Sequence, residues 1–230
     1  MRKWAVLVVA VCCAGKLAGA ADNGGTYRAQ ITIQRAARGG DNANVVIWLS
    51  PLAPTAEGTP PPGHFRLVQR NKQFEPHLLV IPVGSVVDFP NQDPFFHNVF
   101  SLYKGKRFDL GLYEAGGSRT VHFDRPGVSF IFCNIHPEMS AVVLAMSTPY
   151  YAVSGPDGEV VIRNIPPGKY RLEVWYERSS PEALQALTRD VTISGDSSPS
   201  PLKVAEVVQG TLPHKNKYGK DYDKTHPYNN

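Results

Sequence analysis

The sequence predicts an all-β protein with a β-sandwich in the middle of the chain. Its apolar residues fall in short runs rich in Val, Ile, Phe and Tyr, and Gly and Pro, 20 of each, punctuate those runs at turn positions. Through the middle of the chain the turn clusters recur at the spacing of a sandwich. A second strand pattern is split between the two sides of that block. At 230 residues, with 42% hydrophobic and 19% charged, the chain has room for two small cores and reads as an ordinary globular protein.

Taken in order, residues 1–20 stand outside the fold. Arg2 and Lys3 give a positive start, Trp4 to Ala14 is apolar, and Ala18-Gly19-Ala20 is a small-residue cleavage site. The apolar run is too short to span a bilayer. A cleaved export signal and a periplasmic destination are expected. Cleavage removes Arg2, Lys3 and Lys16, which lowers the net charge from +4 to about +1 and leaves no basic surplus to call for nucleic acid. It also removes Cys12 and Cys13, leaving Cys133 as the sole cysteine in an oxidising compartment.

Thr26 to Arg35 alternates as a strand with one wet face, and Arg38 to Asn42 is a turn. Asn44 to Leu52 reads as a more buried strand, and the proline-rich Pro51 to Gly63 as a linker. Leu78–Val83 and Ser85–Phe89 are strands divided by Gly84; Arg107–Leu112 and Ser118–Phe123 flank Gly116-Gly117. Asp124 to Gly127 turns into the strand that ends at Cys133, and Ala141–Met146 returns. Two further turns, Ser154 to Gly158 and Asn164 to Gly168, each precede a strand, Glu159–Arg163 and Lys169–Tyr176. Ser180 as N-cap and Pro181 at the first position start a short helix within Ser179 to Arg189. Residues 198–230 are polar and read as a flexible tail, with His214 and His226 solvated.

The chemistry concentrates in Phe130 to Met139. Cys133, His136 and Met139 sit three residues apart in one short loop, and His97 in a separate apolar segment is the best candidate for a second imidazole. Singly, each of these residues is common core or loop material. Together, a thiolate with imidazoles suits copper or zinc, and a thioether beside them favours copper. Phe95 and Phe96 precede His97, and at least one is expected in the core. His77 and His122 are left outside the site. If the edge of His136 reaches the surface, Ile135 and Pro137 ring it as an apolar docking patch for a transient redox partner.

Phe74-Glu75-Pro76, Gly84, Asn91, His97-Asn98-Val99, Phe123 to Gly127 and Cys133 to Met139 resemble a cupredoxin, nearest to the plastocyanin and amicyanin branch. The two-residue gap between His136 and Met139 resembles the short amicyanin ligand loop. The strand, Asn164-Ile165-Pro166-Pro167-Gly168 and Tyr170-x-Leu172 resemble a carboxypeptidase-regulatory-like, transthyretin-type sandwich. The combination is similar to methylamine-utilisation-type cupredoxin-like proteins. The resemblance implies one type 1 copper ion held by His97, Cys133, His136 and Met139, with Asn98 tying the two ligand loops together. It also implies a Greek-key copper domain over 65–147, inserted in or joined to a discontinuous sandwich of 26–55 and 148–197.

The expected function is periplasmic single-electron transfer by blue copper, with no substrate chemistry and no membrane span. Copper sequestration without a redox partner uses the same ligands and stays open. A zinc hydrolase would need an open coordination position and a nearby carboxylate base. A purely structural pair of sandwiches would leave Cys133 as a buried hydrophobe.

Overall fold

The computed structural model describes residues 24–35, 39–54, 58–102, 105–207 and 214–222. The expected export signal and His226 lie outside them. Among the described residues the architecture is all β apart from one short helix, and no helix is long and apolar enough to cross a membrane.

Strand Gly25–Gln34 buries Tyr27, Ala29, Ile31 and Ile33 and exposes Gln30, Thr32 and Gln34, as its period-two pattern dictates. It is the centre of a three-stranded sheet, antiparallel to Glu159–Ile165 and parallel to Ser200–Ala205. A four-stranded sheet faces it, in which Val46–Pro51 lies between Tyr151–Val153 and Gly168–Trp175, and the latter pairs with Arg189–Ile193. The inner faces form one core that includes Ile31, Leu49, Ile162, Leu172, Leu202 and Val204. Gly158, at φ +80°, closes the turn against the first strand: Ile31 N–H donates to its carbonyl, and a Cβ there would collide with the Ile31 carbonyl. Helix Pro181–Gln185 begins as its sequence requires, with the Ser180 hydroxyl accepting from Ala183 N–H.

The middle of the chain makes a second sandwich. Its five-stranded sheet runs Leu78–Pro82, Ser140–Met146, Gly127–Cys133, His97–Ser101 and Phe108–Tyr113. The facing sheet runs Ser118–Phe123, Ser85–Pro90 and His64–Arg66, and a small hairpin joins Val68–Arg70 to Gln73–Glu75. Phe89, Phe123, Ile131, Val143, Cys133 and Met139 share this core. A third cluster, Val46 with Leu144 and Met146, seals the two sandwiches together and is flanked by Trp48, Leu78 and Trp175.

The tail expected over 198–230 is in part ordered. Ser200–Ala205 is an edge strand because Leu202 and Val204 alternate into the first core while Pro201 and Lys203 face outward. Residues 214–222 lie against the Cys133 loop.

Candidate metal centre

His97 opens the strand His97–Ser101, and Cys133 closes its antiparallel neighbour Gly127–Cys133, so the sheet ladder sets their separation. The following loop returns His136 to the same spot. Two backbone bonds close it: Met139 N–H donates to the His136 carbonyl at 3.0 Å, and Cys133 N–H to the Met139 carbonyl at 3.1 Å. A third bond, from Asn134 N–H to the Asn98 carbonyl at 2.9 Å, ties the loop to the strand of His97.

The donor atoms form a compact triangle. Cys133 Sγ is 3.5 Å from His97 Nδ1 and 3.5 Å from His136 Nδ1, and the two nitrogens are 3.1 Å apart. The point equidistant from all three lies about 2 Å from each, close to metal–nitrogen bonds of about 2.0–2.1 Å and slightly inside a metal–sulfur bond of about 2.3 Å. The residues present therefore fit a soft transition metal. His97 and Cys133 are fully buried and His136 is 6% exposed. Met139 is also fully buried, at the end of the loop and in the same core as Cys133.

Burial drives the electrostatics. It pushes the Cys133 thiol up, opposed by backbone hydrogen bonds from Asn98, Ile135 and His136. It pushes His136 down to about 4, assisted by His97 and Lys72. His97 is lowered by burial against the pull of Asp93. Both imidazoles are thus held neutral, the form that ligates.

Asp93 was not singled out by its sequence position, yet it orients His97. His97 Nε2–H donates to its carboxylate at 2.9 Å, which leaves the Nδ1 lone pair aimed at the triangle. The same carboxylate accepts from Asn71 N–H at 2.6 Å and Lys72 N–H at 3.0 Å, so a 4% exposed charge is satisfied. Burial opposes its ionisation, but the Lys72 N–H, His97 and Asn71 N–H together hold it below the usual carboxylate range. Its spacing four residues before His97, in an Asx turn closed by Asp93 N–H to Asn91 Oδ1, was the available signal.

Other sequence expectations are met differently. The Asn98 tie to the Cys133–Met139 loop is made by its backbone carbonyl. Its side-chain amide turns away and donates to Asp109 Oδ1 and the Gly111 carbonyl, where the strand pairing is irregular between Asn98 and Phe100. Neither member of the phenylalanine pair is a core residue. Phe95 is half-buried with its ring 5.3 Å from that of His97 and 5.5 Å from that of His136, and Phe96 is half exposed. Ile135 packs partly on the core and Pro137 is half-buried. His214 is not solvated: it stacks on Phe132 at 3.8 Å and bonds the Pro137 carbonyl. His77 bridges to Glu177 of the first sandwich, and His122 is exposed and bonds the Gly84 carbonyl.

Several solved structures are similar to part of this chain. A purple cupredoxin from Nitrosopumilus maritimus is 26% identical over 35% of this chain and 98% of its own, with a TM-score of 0.33. A copper-containing nitrite reductase from Thermus scotoductus is 25% identical over 43% of this chain and 26% of its own, with a TM-score of 0.35. A reduced amicyanin variant is 20% identical over 36% of this chain and 82% of its own, with a TM-score of 0.34. No protein-family model and no curated protein sequence matches the chain.

Proposed function

We propose that this chain is a periplasmic type 1 copper protein that passes single electrons between redox proteins. The observation that carries this reading is the buried triangle of His97 Nδ1, Cys133 Sγ and His136 Nδ1, with Met139 buried at the end of the same loop. In this reading His97, Cys133 and His136 would hold one copper ion, and the thioether of Met139 would be the weaker donor that tunes it. Copper supplies a one-electron couple there. The chain's own residues do the rest. Asp93 fixes the tautomer of His97, burial keeps both imidazoles neutral, and the sealed core excludes water and substrate. A zinc hydrolase is the poorer fit, because the donor atoms are almost wholly shielded from solvent.

Export by cleavage of residues 1–20 accompanies this reading. So does a division into a copper domain over 65–147 and a carboxypeptidase-regulatory-like sandwich of 26–55 and 148–197. Partners dock transiently over Pro137 and Ile135, with half-exposed Phe96 beside the site in sequence.

The absorption spectrum of the purified protein with Cu(II) tests the assignment. An intense visible copper–thiolate band is expected, lost in Cys133→Ser and retained with a shifted potential in Met139→Gln. A colourless protein, or Cys133→Ser with unchanged colour, overturns it.

A further inference from the structure

We infer that residues 214–222 are a positioning strap that holds the metal-binding loop in its ligating geometry. The inference rests on the copper reading for its consequences and on the contacts of this segment for its substance.

The strap meets the loop at three points. Tyr222 hydroxyl donates to the Cys133 carbonyl at 2.9 Å, Lys217 N–H donates to Asn134 Oδ1 at 3.0 Å, and His214 Nε2–H donates to the Pro137 carbonyl at 2.8 Å. The His214 ring also stacks on Phe132, the residue before Cys133, at 3.8 Å and 20°. Lys217 Nζ reaches Asp109 Oδ2 at 2.8 Å, and the other oxygen of that carboxylate accepts from Asn98, the neighbour of His97. One segment therefore binds the loop of Cys133 and His136 and also reaches the strand of His97.

The segment is itself a built turn. Asn216 Oδ1 accepts from Tyr218 N–H and Lys220 N–H, both at 3.0 Å, and Asn216 N–H donates to the Lys220 carbonyl at 2.9 Å. Gly219, at φ +74°, allows the reversal. Its hydrogen-bonding groups are thus ordered before they meet the loop.

The anchors at Cys133, Asn134 and Pro137 bracket Ile135 and His136, so they set where the His136 imidazole stands against the Cys133 sulfur, 3.5 Å from its Nδ1. How the donor groups are held tunes a bound metal. Loosening the strap frees His136 to shift relative to Cys133. The reduction potential and the copper–thiolate band should then both move.

The test uses the full chain with His214→Ala plus Tyr222→Phe, and separately Lys217→Pro, which deletes one donor N–H. In the metal-free protein, amide exchange at Ile135 and His136 should quicken by about tenfold while the strand Ser85–Pro90 is unchanged. In the copper form, the potential and the band should both move, with His214→Gln, which keeps a donor, restoring part of each. Unchanged exchange at Ile135 and His136 in both variants overturns the strap. So does faster exchange with an unmoved potential and band, because the segment would then brace the loop without setting its geometry. If the unaltered protein shows no copper–thiolate band, the copper reading fails, and the exchange measurement still decides the strap.

Discussion

Acid should destabilise the metal-free protein through its paired imidazoles, and His136 gives the effect a size. The His136 ring is buried with its Nδ1 3.1 Å from His97 Nδ1, and burial with the neighbouring His97 lowers it from the ordinary 6.5 to about 4. A group whose folded-state value is depressed binds its proton more readily in the unfolded chain. Its contribution is therefore complete above about pH 6.5, falls as the pH drops, and is exhausted below about pH 4. At about 1.36 kcal/mol per unit the whole effect is about 3 kcal/mol, most of it spent by pH 4.5. His97 is lowered in the same sense and adds to it. His77 acts oppositely, because its bond to Glu177 raises it: it contributes fully below 6.5 and its contribution is lost as the pH rises through the raised value. Urea unfolding in the presence of chelator, between about pH 7.5 and 4.5, measures the sum. Comparison with His136→Gln removes what the two chains share, His77 included. The variant should lose about 2–3 kcal/mol less than the original chain across that range. Parallel stability curves for the two proteins would refute the claim that the folded state holds His136 neutral.

Three further outcomes are expected. Asp93→Asn keeps the shape but removes the charge that accepts His97 Nε2–H and two backbone N–H groups, so copper affinity should drop by about 10–100-fold in a chelator competition. Leu202→Ala should cost about 2–5 kcal/mol in urea unfolding, because Leu202 is 1% exposed in the first core; a cost near zero would show the strand Ser200–Ala205 to be dispensable. Pro137→Lys should slow electron exchange with a redox partner in stopped flow while leaving the spectrum nearly unchanged, and an indifferent variant would move the docking surface elsewhere.

What the sequence discloses follows from how each element is stabilised. Gly25–Gln34 is legible because its burial alternates over a long run, and the loop of Cys133, His136 and Met139 because those residue types are seldom gathered without a metal. Ser200–Ala205 is hidden because it has only two core positions, Leu202 and Val204, and carries a proline tolerated at an edge. The strap is hidden more deeply. Its composition is that of a solvated tail, and its hydrogen bonds to the Cys133 loop go to two backbone carbonyls and one side-chain amide, which leave no periodic trace. Asn98 illustrates a third limit: its identity is visible in sequence, but the irregular pairing beside it decides where its amide points.

The strand Ser140–Met146 explains why the first sandwich sits beside the Cys133 loop. It begins at the residue after Met139, and its sequence, Ser-Ala-Val-Val-Leu-Ala-Met, is apolar without alternation. A strand reads that way when both faces are covered. Ala141, Val143 and Ala145 face the core that holds Cys133 and Met139, whereas Leu144 and Met146 meet Val46 of the other sandwich. His77 extends the contact to the start of this strand, because its ring bonds both Glu177 of that sandwich, at 2.6 Å, and the carbonyl of Ser140, at 3.1 Å. The Cys133 loop is thus fixed at its far end by a strand that the first sandwich buttresses and along its length by the 214–222 segment. A buried cluster whose donors stand 3.1–3.5 Å apart needs that rigidity, since two imidazoles and a thiol would otherwise turn apart towards water.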